Sequence, residues 1–92
     1  MLNCSDGDIV QRQTALVIDL RAGYSLVLRI DGTLIPDADI EVTEQTGVHV
    51  FRPAPGKAIE EWIPGFHVVE IDFDRSSGLP DPGSLRWSFR TQ

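Results

Sequence analysis

Apolar and polar residues alternate along most of this chain, and this alternation is the feature that most restricts its fold. Leu16, Ile18 and Leu20 fall on one side of an extended segment, and residues 66–74 repeat the pattern. A period of two is typical of antiparallel strands that have one buried and one solvated face. Turn residues interrupt the pattern at intervals of about 8–12 residues, as in small sandwiches and barrels. The sequence therefore predicts an all-β protein.

Seven short strands account for the pattern. We predict them at residues 14–21, 24–31, 33–35, 39–44, 48–52, 66–74 and 84–91. Ala22-Gly23 predicts a tight hairpin between the first two strands, while residues 57–62 are too short for a stable helix and are predicted to be irregular or a short strand. Together the strands predict a single antiparallel β-sandwich of the immunoglobulin-like type over residues 1–92, with residues 1–12 as an N-terminal arm. A small barrel is the alternative.

The charge balance and the single cysteine exclude several classes of protein. The 92 residues include 8 Lys and Arg against 14 Asp and Glu, which gives a formal net charge of −6. Because a protein that neutralises phosphates needs a basic face, direct nucleic-acid binding is not expected. Cys4 is the only cysteine, so a scaffold held by internal disulfides is excluded. Residues 1–8 carry no basic segment and no apolar run, and no segment approaches the ~20 apolar residues of a membrane span, so we expect neither secretion through a signal peptide nor membrane association.

The residues that carry chemistry do not form a recognisable catalytic or metal-binding set. Nothing around Cys4 would activate its thiol for use with His49 or His67. Two histidines without a C-x-x-C pair fall short of a zinc site. The acidic run of residues 72–83 begins like a calcium loop but lacks the glycine and the glutamate that such a loop requires. We therefore expect no enzyme, no cofactor, no metal and no small-molecule substrate.

Apolar side chains on faces that should be solvated are the most informative surface feature. Several of them lie on the polar register of neighbouring strands, where together they would form a patch that marks an interface. The same alternation puts His49 on the outward face of its strand and adds Phe51 to the patch. Trp62 is a further aromatic anchor, with the alternative that it caps an open end of the sandwich. The candidate protein-contact residues are Val17, Val27, Phe51, Trp62, Phe66 and Val68.

The last third of the chain carries a resemblance to a known class of domain. The segment Trp62-Ile63-Pro64-Gly65-Phe66 leads into the alternating strand, the turn Ser77-Gly78 follows, and residues 83–89 form the final strand. This order resembles the closing hairpin of the immunoglobulin-like sandwiches found in tailed-phage virions, where baseplate, upper-fibre and head-decoration domains carry it. The resemblance implies an immunoglobulin-like fold and a structural role, and it assigns no functional residue.

Two functions of different classes are consistent with these features. The leading hypothesis is a non-enzymatic structural protein, a small phage virion component in the virion or the host cytoplasm that binds copies of itself or a larger coat or tail protein. On this hypothesis Val17→Lys or Phe66→Glu abolishes assembly. The alternative is a small acidic inhibitor of the anti-CRISPR or anti-restriction type, which masks a nucleic-acid-binding site and is supported by the charge of −6. A carbohydrate- or small-ligand-binding module rests on the aromatic pair Trp62 and Phe66 alone.

Overall fold

Eight strands and one short 3-10 turn make up the described part of the protein. The computed structural model describes residues 7 and 9–92, so the interpretation of Cys4 lies outside the described residues. In chain order the elements are β1 (Ile9–Val10), β2 (Leu16–Asp19), β3 (Tyr24–Ile30), β4 (Thr33–Ile35), the 3-10 turn (Asp37–Asp39), β5 (Ile40–Thr43), β6 (Val48–Phe51), β7 (Gly65–Arg75) and β8 (Gly83–Thr91). Every predicted strand is present with its ends shifted by at most about two residues, as is usual for element boundaries. The additional strand, β1, lies in the predicted N-terminal arm.

The strands form two sheets. The larger has the order β1-β8-β7-β3-β4, and the smaller has the order β2-β6-β5. All pairs are antiparallel except β1 and β8, which run parallel with Ile9 opposite Arg90. The long β7–β8 hairpin places Gly65 opposite Thr91 and Phe73 opposite Gly83. Within residues 7 and 9–92 no strand belongs to both sheets, so the all-β, sandwich-like prediction is confirmed and the barrel alternative is wrong.

The core lies between the two sheets and draws on both of them. The alternation predicted this for β2, β3 and β7, whose inward residues are buried. Removing these apolar side chains from water is the main force that holds the sheets together. None of the described segments forms a helix with the length and apolar character that crossing a bilayer requires. The buried hydrophobic residues are Leu16, Ile18, Leu26, Leu28, Ile30, Ile35, Phe51, Trp62, Val69, Ile71, Trp87 and Phe89.

The predicted hairpin between the first two long strands is wrong. β2 pairs with β6, whereas β3 pairs with β4 and β7, so Ala22-Gly23 carries the chain from one sheet to the other. Gly23 has a φ of 87°, and its carbonyl accepts a hydrogen bond of 2.7 Å from the amide of Ser76. A turn dipeptide predicts that the chain reverses its direction. It does not predict whether the next strand pairs within the same sheet or joins the other sheet.

The predicted orientation of β6 is also wrong, because His49 and Phe51 face the core while Val48 and Val50 are half-buried on the other side. Gly47 fixes this orientation at the start of the strand. Its φ is 76°, and a side chain at this position would overlap the carbonyl group of Arg21. The Gly47 carbonyl accepts hydrogen bonds of 3.0 Å from the Leu20 amide and 3.0 Å from Nδ1 of His49. The imidazole is thereby held on the inner face.

Candidate protein-binding surface

Trp62 closes one end of the sandwich and does not reach the surface. Its indole is fully buried, and its Nε1 donates a hydrogen bond of 2.7 Å to the carbonyl of Thr14. Its ring makes edge contacts with Phe51, at 5.8 Å between centroids, and with Phe89, at 5.1 Å. These partners belong to different sheets, so Trp62 joins the two layers. The prediction that Phe51 and Trp62 face outward is wrong, and the structural alternative for Trp62 is the one observed.

His67 connects this closed end to the turn between β3 and β4 through side-chain hydrogen bonds. Its Nδ1 lies 2.6 Å from a carboxylate oxygen of Asp31, and its Nε2 lies 2.6 Å from the carbonyl of Ile63. The other carboxylate oxygen of Asp31 accepts a hydrogen bond of 2.8 Å from the amide of Val68. Both ring nitrogens therefore have a partner, and the segment that leads into β7 is held at Ile63.

Three apolar side chains around the start of β7 are largely exposed to solvent. Phe66 is 74% exposed, Ile63 is 70% exposed and Ile9 is 58% exposed. Arg90 lies opposite both Ile9 and Phe66 in the register of the sheet, so the three side chains stand side by side on its outer face. The guanidinium of Arg90 lies 5.7 Å from the centroid of the Phe66 ring, within the range of a cation–π contact. We refer to Ile9, Ile63, Pro64, Phe66 and Arg90 as the Phe66 patch.

Only one further candidate from the sequence adjoins this patch. Val68 follows Phe66 on the same face of β7 and is half-buried. Val27 pairs with Asp72 on β7. Asp72 is six residues beyond Phe66 and therefore about 20 Å from it at the rise of a strand. Val17 lies on β2, in the other sheet. The expectation of one continuous patch across neighbouring strands is therefore wrong, since the apolar positions divide among separate regions.

Charged side chains interleave on the rest of the outer face. Glu70 lies between Arg29 on β3 and Arg86 on β8 in the register. An ion pair of 3.2 Å joins Arg29 on β3 to Asp72 on β7. Acidic and basic groups thus alternate here rather than forming a continuous acidic stripe.

A second mixed cluster lies at the far end of β7. The Tyr24 hydroxyl donates to the carboxylate of Asp81 and accepts a long contact of 3.5 Å from Nε of Arg75. This hydrogen bond to Tyr24 raises the pKa of Arg75 above its ordinary value. Arginine side chains are protonated in proteins, so this cluster holds a positive charge near the carboxylate of Asp81.

Four of the five members of the Phe66 patch were not among the contact residues predicted from the sequence. Ile9 lies in the arm, which had no strand assigned to it, and it reaches the patch only because β1 pairs with β8. Ile63 lies in an irregular segment where periodicity carries no information. Arg90 was predicted on the correct face, but its contact with Phe66 depends on the hairpin register. The Pro64-Gly65 turn beside an aromatic residue is the one local signal that points to this region.

The described residues were compared with the requirements of a metal site and with known proteins. In the part of the chain that the structure describes, no three His, Cys, Asp or Glu side chains lie close enough together to hold a metal ion. Comparison with known proteins finds no family model, no curated protein and no solved structure that matches this chain. What the molecule does must therefore be inferred from the geometry of its surface.

Proposed function

We propose that this protein is a non-catalytic structural protein that acts through protein–protein contacts made by the Phe66 patch. The observation that carries the proposal is the exposure of Phe66, at 74%, with Ile9, 58% exposed, close to it in the register of the sheet and Ile63, 70% exposed, three residues earlier in the chain. Exposed apolar surface of a few hundred Å² in one place is about the size of the largest patch on a typical monomer and often marks a binding site. Burial of such a patch against a partner is favourable at roughly 25 cal/mol per Å² of apolar surface.

The composition and rigidity of the patch suit a protein partner. Aromatic residues and arginine are enriched in interface cores and among the residues that dominate binding energy. Phe66 and Arg90 are paired across the β7–β8 hairpin, and Ile63 is held through His67. Because these groups are already ordered, little conformational entropy is lost when they bind.

The setting that we propose is a phage virion, with an immunoglobulin-like domain that binds copies of itself or a larger coat or tail protein. This part of the proposal rests on the resemblance of residues 62–89 to the closing hairpin of virion sandwiches and on the two-sheet architecture. The acidic-inhibitor alternative is less well supported, because arginines interrupt the acidic face of the larger sheet. A carbohydrate module loses its aromatic platform, since Trp62 is buried.

The test is the absolute mass of the protein in solution, measured by size-exclusion chromatography with light scattering over a wide concentration range. We expect a discrete oligomer that Phe66→Glu converts to a monomer. Because Val17 lies on the other sheet, we now expect Val17→Lys to leave the mass unchanged, in contrast to the expectation from the sequence. Leu79→Glu, at an exposed position in the loop between β7 and β8, is a second control. An oligomer that survives Phe66→Glu would contradict the proposed surface. A wild-type monomer at every concentration would contradict self-association and leave a larger coat or tail protein as the partner.

A further inference from the structure

Both ring nitrogens of His67 face oxygen atoms that accept hydrogen bonds. Nδ1 lies 2.6 Å from a carboxylate oxygen of Asp31, and Nε2 lies 2.6 Å from the carbonyl oxygen of Ile63. At such distances each pair of atoms needs a proton between them. A backbone carbonyl has no proton to give, so Nε2 carries one, and a carboxyl group is ordinarily a stronger acid than an imidazolium, so Nδ1 carries the other. This geometry therefore requires a ring with two protons and a positive charge.

Asp31 is placed so that it can balance this charge. It lies in the turn between β3 and β4 with a φ of 52°, a left-handed conformation that aspartate adopts more readily than most residues. Its second carboxylate oxygen accepts a hydrogen bond of 2.8 Å from the amide of Val68, so the carboxylate is fixed against β7. A buried charge has to be paired and hydrogen-bonded, and the His67 ring, which is 8% exposed, meets both conditions.

The rings that pack against His67 are uncharged. Trp62, from the segment before β7, and Phe89, from β8, each lie 5.5 Å from the His67 ring between centroids. Among the described residues, Asp31 is the charged side chain within ion-pair distance of the ring. The other buried histidine, His49, lies on β6 in the smaller sheet. The contacts of His67 therefore depend on Asp31 and on the number of protons that the ring itself holds.

We propose that His67 is a proton-dependent latch that regulates the Phe66 patch. A neutral imidazole has a single N–H, and beside the negative carboxylate of Asp31 this proton stays on Nδ1. Nε2 then presents a lone pair to the Ile63 carbonyl, and the two acceptors repel each other. Ile63 and Pro64, which precede β7 and belong to the patch, are released, while Phe66 stays within the strand. The contact with Ile63 is thus present at low pH and is lost as the pH rises.

The latch acts on the surface of the proposed function, and its effect on assembly rests on that proposal. When the ring holds both protons, Ile63 is ordered before a partner arrives, so little entropy is lost on binding. When the second proton is lost, binding has to order the segment again, and assembly becomes weaker. Histidine changes charge between about pH 5 and pH 8, a range in which arginine keeps its charge. We expect the dissociation constant of each interface to rise roughly three- to tenfold between about pH 5.5 and about pH 8.0, the factor associated with one hydrogen bond.

NMR of the histidine rings tests the latch without relying on assembly. In ¹⁵N-labelled protein at the lower pH, both ring nitrogens of His67 should show the shifts of protonated nitrogens. Nε2 should become unprotonated as the pH rises, and the amide signals of Ile63 and Gly65 should move with the same midpoint. The amide of Gly47, beside His49, is the control and should not follow the His67 midpoint. A single protonated nitrogen on His67 at the lower pH, or amides of Ile63 and Gly65 that do not follow its titration, would overturn the proposal.

Two substitutions separate the parts of the latch, and the second histidine provides a matched control. His67→Asn can keep the contact with Asp31 but cannot reach Ile63, so it should assemble at both pH values as weakly as the wild type does at the higher pH. Asp31→Asn should have the opposite effect. Its amide group can donate to Nδ1 and still accept from Val68, so a neutral ring keeps its N–H on Nε2 for Ile63.

We therefore expect Asp31→Asn to assemble at the higher pH as tightly as the wild type does at the lower pH. His49→Asn should keep the pH dependence of the wild type, because its ring has no contact with the patch. Light scattering across a concentration series at both pH values measures all four proteins. A pH dependence that survives in His67→Asn, or weak assembly of Asp31→Asn at both pH values, would overturn the latch.

The latch and the proposed function fail or succeed separately. Phe66→Glu should abolish assembly at both pH values and leave the amide of Ile63 coupled to the titration of His67. A wild type that stays monomeric at both pH values, with Ile63 still following His67, would support the latch and contradict self-association. An oligomer of equal strength at both pH values would support the proposed surface and overturn the regulation by His67.

Discussion

The two histidines of this protein are both buried, yet they differ in how far their hydrogen bonding is completed. His67 is 8% exposed and has a partner for each ring nitrogen, the carboxylate of Asp31 and the carbonyl of Ile63. His49 is 5% exposed and has a partner for one nitrogen only, the carbonyl of Gly47. The His67 ring therefore links three parts of the chain, whereas Nε2 of His49 makes no contact within the described residues and is open to solvent.

The same contrast extends to the regions around the two rings. His67 packs with Trp62 and Phe89 in an aromatic cluster that fills one end of the sandwich. The space beside His49 is a cleft between the sheets, and the exposed residues Asp37 and Glu44 are among those that line it. We therefore expect the closed end to hold the two sheets together, and we propose that contacts with other molecules are made by exposed surfaces such as the Phe66 patch.

The largest effect that we expect comes from truncation at the closed end. Trp62→Ala should lower the free energy of unfolding by about 3–5 kcal/mol, because it removes a buried indole and leaves a cavity between the sheets. The neighbouring Ile63→Ala, at a side chain that is 70% exposed, should change it by less than about 0.5 kcal/mol. Urea unfolding of both variants measures the difference. Similar losses from the two substitutions would show that this end does not hold the sheets together.

A smaller effect is expected at the turn that positions His49. Gly47→Ala should lower the free energy of unfolding by about 2–4 kcal/mol, since it combines the cost of a positive φ with overlap against the Arg21 carbonyl. Gly56 has a similar φ of 87° but has open space where a side chain would lie, so Gly56→Ala should cost only about 1–2 kcal/mol. The difference between the unfolding free energies of the two variants, measured by chemical denaturation, gives the cost of the overlap. If the two variants lose the same stability, Gly47 is required for its φ alone.

The histidine comparison itself is tested by one substitution made at both sites. Asparagine can keep the hydrogen bond made by Nδ1 at each position but cannot reach the partner of Nε2. His67→Asn loses the contact with Ile63 and His49→Asn loses none, so the first should be less stable by about 1–2 kcal/mol. Thermal and urea unfolding give the ranking. An equal loss, or a larger loss at His49, would contradict the distinction between a completed and an open ring.

The strand positions were predictable because alternation is a local property. β7 carries Val69 and Ile71 inward and Phe66 outward, as the pattern requires. β6 shows where the pattern becomes ambiguous. Its sequence Val-His-Val-Phe is apolar on both registers, and the pair of valines is not the face that is buried. Local hydrophobicity cannot choose between two such faces, and the choice depends on which other sheet covers the strand.

The candidate site was predictable only in part, because it depends on pairing between distant strands. Phe66 was recognised from its own strand, and Val68 with it. Ile9 joins them through a parallel pairing with β8, across more than 75 residues of sequence, for which no local pattern exists. Trp62 was ambiguous for another reason, since a tryptophan in an irregular segment is equally suited to anchoring a partner or to filling the end of a core.

The most direct test of the central claim is the Phe66→Glu variant measured for both stability and assembly. Phe66 lies outside the core, so its unfolding free energy at a concentration where the protein is monomeric should stay within about 0.5 kcal/mol of the wild type. Light scattering at higher concentration should show the wild type as a discrete oligomer and the variant as a monomer. Unchanged stability with lost assembly is the result that the account predicts. A variant that assembles like the wild type, or one that loses its fold, would contradict the division between a closed structural end and an exposed binding surface.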